Sequence, residues 1–241
     1  MPLPLLLRVL CTLGLPIGLG GCGAFEAGPN EDDVRFVDWY AVEWSGGTTN
    51  VAVLPPSDGS TGPRPVVLAL PWGSGSANLV MSFLDAYWAT EPGARGYYVV
   101  APEVTGSTLA DTADELIPAI FSWMGTEFSY DPSKVALVGA SNGGRGIFFA
   151  ALSQPDRFAA MIGLPGQYSG PPGDLAALSG IPVWLLVGEF DAGWVEASQA
   201  TAAALEEAGI DVTLEILSSQ EHVLFLSPVA LMNWIDEALG L

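Results

Sequence analysis

Val135-Ala136-Leu137-Val138-Gly139-Ala140-Ser141-Asn142-Gly143-Gly144 is the run whose reading decides the fold. Its first half is a short, continuous apolar stretch of the kind found in strands buried on both faces of a parallel sheet. Its second half packs small residues around one serine, and residues 142–152 that follow carry helical spacing. A Gly-x-Ser-x-Gly spacing alone decides little. In a chain holding 29 glycines, chance supplies about a quarter of such a match. The context adds the information. A tight strand-to-helix turn would hold the Ser141 hydroxyl above the carboxyl edge of a sheet, at a helix N-terminus that favours developing negative charge.

Working outward, apolar runs recur with helical segments between them. Residues 36–44 alternate around aromatic and β-branched side chains, turn at Ser45-Gly46-Gly47, and return over 50–54 as a hairpin of exposed or edge strands. Runs at 65–70 and 97–101 predict buried strands. Residues 111–128 predict a helix through Leu116, Ile120 and Met124, with Asp111 as N-cap and Pro118 inside. Further strands are expected over 134–138, 159–163, 182–187 and 212–217. Helices are expected over 194–208 and from Ser227-Pro228 to residue 239, with proline at the first helical position. Alternating strands and helices give an α/β fold with a mostly parallel, doubly wound sheet of about eight strands.

A serine alcohol needs a general base to become a nucleophile. The chain holds one histidine, His222, placed after the last expected strand and before the last helix. A third group should follow the strand over 182–187, which runs into Gly188-Glu189-Phe190-Asp191. Asp191 is the expected partner of His222, with Glu189 the alternative; either could instead cap the next helix. The order Ser, acid, His is one of the chain orders a nucleophilic triad adopts. Acyl chemistry also needs two donors for an oxyanion. The N–H of Asn142 is one. The loop Pro71-Trp72-Gly73-Ser74-Gly75 supplies the other, through Trp72 or, alternatively, Gly73. The Trp72 ring could line a substrate pocket or simply pack at a strand end.

Composition narrows the remaining classes. The 27 acids and seven bases give a formal charge of −20, which repels phosphate backbones and excludes nucleic acid as a natural partner. With one histidine there is no His/carboxylate metal cluster to build, and no glycine-rich phosphate loop carries a lysine. No metal and no cofactor are expected. At the N-terminus, a stretch with Arg8 as its only charge ends in Leu19-Gly20-Gly21-Cys22. Pro16 and several glycines break its apolar run, which argues against a permanent membrane span. Leu-Gly-Gly-Cys resembles the lipobox of bacterial lipoproteins. The resemblance implies a signal peptide over 1–21, lipidation of Cys22, a polar tether over 22–34 and a catalytic domain over 35–241. The chain would then be exported and lipid-anchored to the bacterial cell envelope, at the outer membrane or the periplasmic face. Cys11 would leave with the signal, so no disulfide could form. An ordinary secretory signal is the competing reading.

Residues 134–166, KVALVGASNGGRGIFFAALSQPDRFAAMIGLPG, resemble the polyhydroxybutyrate depolymerase and feruloyl esterase-like group of α/β-hydrolases. The likeness to dienelactone hydrolase and to prolyl-oligopeptidase catalytic domains is looser. It rests on Gly-x-Ser-x-Gly-Gly, the small-residue helix and Pro155-Asp156-Arg157-Phe158. It implies an α/β-hydrolase fold and ester hydrolysis through an acyl-enzyme, with Ser141, Asp191 and His222 as the triad. Trp72 stands where that group usually has histidine. The chain is also short between Gly163 and Ile181, which leaves no room for a cap domain and predicts an open cleft for a small or polymeric ester. A peptidase or acyltransferase on the same triad, and a catalytically silent envelope lipoprotein, are the competing functions.

Overall fold

The computed structural model describes Arg8–Val9 and residues 37–88, 90–104 and 109–241. One sheet runs through the described residues. In chain order its strands are β1 (Arg8–Val9), β2 (Val37–Trp44), β3 (Gly47–Leu54), β4 (Arg64–Leu70), β5 (Tyr98–Pro102), β6 (Tyr130–Gly139), β7 (Ala160–Gly163), β8 (Val183–Gly188) and β9 (Val212–Leu217). The helices are α1 (Ala77–Tyr87), α2 (Glu91–Ala94), α3 (Ala113–Glu127), α4 (Asn142–Ser153), α5 (Ala192–Glu207) and α6 (Pro228–Leu239).

The spatial order is β1-β2-β3-β5-β4-β6-β7-β8-β9. The first three strands pair antiparallel, and every pairing from β5 through β9 is parallel. Apart from the two-residue β1, eight strands remain, the number the sequence pattern predicts. The parallel strands are covered on both faces because alternate residues feed two cores. Val66, Leu68 and Leu70 of β4 join the core under α3, α4 and α5. Val67 and Ala69 face the opposite way, toward α1 and α6. Truncating a fully buried leucine such as Leu68 to alanine costs roughly 2–5 kcal/mol in a core of this kind.

Three expectations need correction. The 2–3 hairpin is an edge in one strand only: β2 lies at the sheet margin, paired outward only at Val37 and Asp38 and mostly half-buried or exposed, whereas β3 pairs with both β2 and β5, and its last four residues are buried. Asp111 does not cap α3. It ends a short 3-10 turn, Leu109–Asp111, and Thr112 occupies the cap position. The helix after β8 starts at Ala192, before Trp194. Helix α1 is an addition to the expected elements, although Val80, Phe83, Leu84 and Tyr87 sit at helical spacing and are all buried.

Between Gly163 and Val183 the chain forms only a 3-10 segment, Pro172–Leu178. No helix among the described residues is long and apolar enough to cross a membrane. The expected signal, tether and lipidation site at Cys22 lie outside the described residues, apart from Arg8–Val9.

Candidate active site

Parallel strands deliver their carboxyl ends to one edge of the sheet, and that edge is where such folds build sites. The loop of Trp72 follows β4, Ser141 follows β6, Asp191 follows β8, and His222 lies in the loop after β9. Residues far apart in sequence therefore meet because four strands end together.

The turn at Ser141 is strained. Its φ is +54° with ψ −110°, a region that L side chains rarely occupy and that costs of order 1–3 kcal/mol. Close approach on three sides holds it there. A methyl at Gly139 would lie 2.3 Å from the Gly143 carbonyl oxygen. One at Gly143 would lie 2.1 Å from the Leu70 oxygen, and one at Gly144 1.9 Å from the Pro165 oxygen. The three glycines are thus where strand β4, helix α4 and the loop after β7 touch backbone to backbone. Ser141 N–H donates to Pro165 O at 3.2 Å, and Gln167 N–H donates to Gly144 O at 3.3 Å.

Presented this way, Ser141 Oγ lies 2.8 Å from His222 Nε2. On the far side of the ring, Nδ1 lies 2.5 Å from Asp191 Oδ2. Asp191 occupies the N-cap position of α5 but makes no side-chain cap bond, so its carboxylate is turned to the imidazole rather than to the helix. Glu189 is exposed, and its carboxylate accepts the Ser219 N–H at 2.9 Å. That bond steadies a tight turn in which Ser219 has φ +62°. The structure therefore brings Asp191, not Glu189, to His222.

The oxyanion candidates lie beside the serine. Asn142 begins α4, where the first N–H groups have no intrahelical acceptor. Its side-chain amide donates to Gly73 O at 2.8 Å, tying the loop after β4 to the elbow. Trp72 and Gly73 line a cavity of about 230 Å³ together with Tyr87, Ala140, Ser141, Leu164, His222 and Val223. Trp72 also packs edge-on against Phe83 and Tyr87, with centroids 5.5 and 6.0 Å apart. Its ring therefore serves both as cavity wall and as core contact.

Several contributors have no motif in the sequence. Trp194 lies against His222, ring centroids 5.4 Å apart, and carries the Arg145 guanidinium 4.4 Å above its own ring. The Tyr87 hydroxyl accepts the Leu224 N–H at 3.3 Å from behind the His222 loop. Burial pushes that phenol up to about 12, against a slight opposing pull from the Leu224 bond. The apolar spacing of α1 is the sequence signal that would have found Tyr87; nothing comparable marks Trp194 or Arg145.

No family model matches the chain, and no curated protein matches it by sequence. Solved structures do match in shape. A thermostable esterase superposes with a TM-score of 0.69 at 20% identity, covering 86% of this chain. This chain spans 63% of that esterase. The Staphylococcus aureus fluorophosphonate-binding serine hydrolase FphF gives 0.64 at 15% identity, over 83% of this chain and 97% of that one. A dienelactone hydrolase-like promiscuous phosphotriesterase from metagenomic libraries gives 0.62 at 15%, over 84% and 96%. The chain has the α/β-hydrolase fold, and these neighbours in shape are esterases and other hydrolases.

Proposed function

We propose that this protein is a serine hydrolase that cleaves carboxylic ester bonds through an acyl-enzyme on Ser141. The observation that carries the reading is the unbroken hydrogen-bond chain from Ser141 Oγ through His222 to Asp191, anchored on a strained strand-to-helix turn. His222 Nε2 takes the hydroxyl proton as Oγ attacks the ester carbonyl. Asp191 accepts from Nδ1–H, which fixes the tautomer and stabilises the imidazolium. The N–H groups of Asn142 and Trp72 receive the oxyanion beside the cavity that Trp72 and Ser141 line. Collapse expels the alcohol, protonated by His222, and a water activated by the same imidazole then releases the acid.

Hydrolysis of p-nitrophenyl acetate tests this. Ser141→Ala and His222→Ala should each lower kcat by roughly 10⁴-fold or more. A wild type without esterase activity, or faster turnover of p-nitroanilides than of p-nitrophenyl esters, would overturn the assignment to esters. We further propose, from the Leu19-Gly20-Gly21-Cys22 pattern, that the chain is exported and held at the cell envelope by a lipid on Cys22. Cys22→Ser should then move the protein from the membrane fraction to the soluble fraction; unchanged retention would refute the anchor.

A further inference from the structure

Once Ser141 and Asp191 are placed, helical spacing places two more side chains. Arg145 lies four residues after Ser141 on α4, and its N–H donates to the Ser141 oxygen at 3.0 Å. Trp194 lies three residues after Asp191 on α5, and its N–H donates to the Asp191 oxygen at 3.0 Å. Residues three or four apart share one face of a helix. The helix that presents the nucleophile and the helix that follows the acid therefore each add one further side chain, and the two meet beside the base.

The Trp194 ring lies against the His222 imidazole, centroids 5.4 Å apart and planes tilted by 46°. The Arg145 guanidinium carbon sits 4.4 Å from the Trp194 ring centroid, within the range of a cation–π contact. Arg145 Nε–H donates to Gln167 Oε1 at 3.1 Å, and the Gln167 N–H donates to Gly144 O at 3.3 Å. Among the described residues no carboxylate pairs with Arg145, although acids outnumber bases 27 to seven. Its partners are a ring and an amide, which fix a position rather than neutralise a charge. Neither Arg145 nor Trp194 lines the cavity beside Ser141, so the pair reaches the chemistry through the imidazole.

His222 needs such support at one step above all. Its side chain is 41% exposed, and in the resting site two hydrogen bonds hold it, Ser141 Oγ to Nε2 and Nδ1 to Asp191. Acylation replaces the Ser141 hydroxyl proton by the acyl group, so the bond to Nε2 is lost. A ring held through Nδ1–H alone can pivot into solvent. Resting on the esterase reading above, we propose that Trp194, clamped by Arg145, is a positioning residue for deacylation. It keeps the imidazole in place while a water takes the position of the lost hydroxyl. The water gives its proton to Nε2 and its oxygen to the acyl carbon. The Oγ–carbon bond then breaks, and the imidazolium returns the proton to Oγ.

p-Nitrophenyl acetate separates the two half-reactions, because its leaving group departs fast and deacylation limits kcat. Trp194→Ala should lower kcat and KM together by roughly tenfold, leave kcat/KM within about twofold, and enlarge the rapid burst of p-nitrophenol. Trp194→Phe keeps a ring against His222 and should recover most of the loss. Arg145→Ala should cost about threefold in kcat, and Arg145→Lys, which keeps a cation over the ring, less than about twofold. A raised KM with kcat/KM lowered as far as kcat would make Trp194 a substrate contact and overturn the proposal, as would an unchanged burst. A second readout needs no turnover. His222 is the only histidine, so a tag-free chain gives a single imidazole Nδ1–H signal by NMR. In Ser141→Ala that proton should be protected from exchange, and adding Trp194→Ala should expose it; equal exchange rates in the two chains would overturn the support. Protection that depends on Trp194, in a protein whose wild type leaves p-nitrophenyl acetate intact, would count against the esterase reading alone.

Discussion

Replacing Gly144 by alanine adds one methyl group, and the structure says where it goes. The new Cβ would sit 1.9 Å from the Pro165 oxygen, 2.9 Å from its carbon and 3.2 Å from Gly166 Cα. All three are backbone atoms, so no side chain can swing aside. The loop after β7 must retreat by more than an ångström. That loop accepts the Ser141 N–H at 3.2 Å and donates from Gln167 to Gly144 at 3.3 Å. Overpacking of this sort costs about 1–3 kcal/mol, and a weakened backbone bond adds about 1 kcal/mol. Together these come to roughly 2–4 kcal/mol, a large share of a typical folding stability. At about 2–4 °C per kcal/mol for a domain of this size, the midpoint should fall by roughly 4–16 °C. Gly125 is the control. It lies inside α3, and a Cβ there would meet nothing within 4 Å. Gly125→Ala should therefore stabilise by about 0.5–1 kcal/mol through helix propensity alone. Calorimetry on the two variants separates them. A Gly144→Ala protein that melts at or above wild type would refute the argument that backbone contact demands glycine at the elbow.

Other consequences follow from single contacts. Asp191→Asn should lower kcat by roughly 10³–10⁴-fold by holding the wrong imidazole tautomer, while Glu189→Gln should cost less than about tenfold; similar losses would mean that the acid is misassigned. Asn142→Ala removes the bond to Gly73 O and should reduce kcat by about tenfold with little change in KM, whereas a loss equal to that of Ser141→Ala would contradict a merely positioning side chain. Stability should also fall in alkali. The folded state keeps the Tyr87 proton up to about 12, against 10.0 for the free group. The stabilisation is thus complete below pH 10 and drains away as pH rises toward 12, by roughly 2–3 kcal/mol. Urea midpoints measured across that window should drop less steeply in Tyr87→Phe; identical slopes would refute the burial of this phenol.

Legibility in the sequence followed the strength of local periodicity. The inner parallel strands are readable because each is a run buried on both faces; β9, the half-exposed edge strand, falls on its expected residues, 212–217, through alternation alone. Ser141, Asp191 and His222 are legible from chain order and strand ends, and the structure brings all three together. Asp191 is the expected acid and Glu189 the alternative because both follow β8; a cap left unused and a 2.5 Å contact to His222 separate them in the structure. Local pattern failed where the outcome depended on neighbours. The 2–3 hairpin alternates like an edge, and β2 remains one, yet β5 pairs along β3 and buries its second half. Helix α1 carries a clear apolar stripe, Val80, Phe83, Leu84 and Tyr87, that sits between two stronger strand signals. Gln220, whose main-chain oxygen accepts the Phe190 N–H while its amide closes its own loop on Phe225, has no sequence signature because the Phe190 contact exists only once β8 and β9 lie side by side.

Covalent labelling with a fluorophosphonate, followed by peptide mass mapping, tests the central claim most directly. A triad poised as described predicts a single phosphonylated serine, Ser141, in wild type, with labelling abolished in Ser141→Ala and strongly slowed in His222→Ala. Wild type that remains unlabelled, or label carried on any serine other than Ser141, would contradict the account.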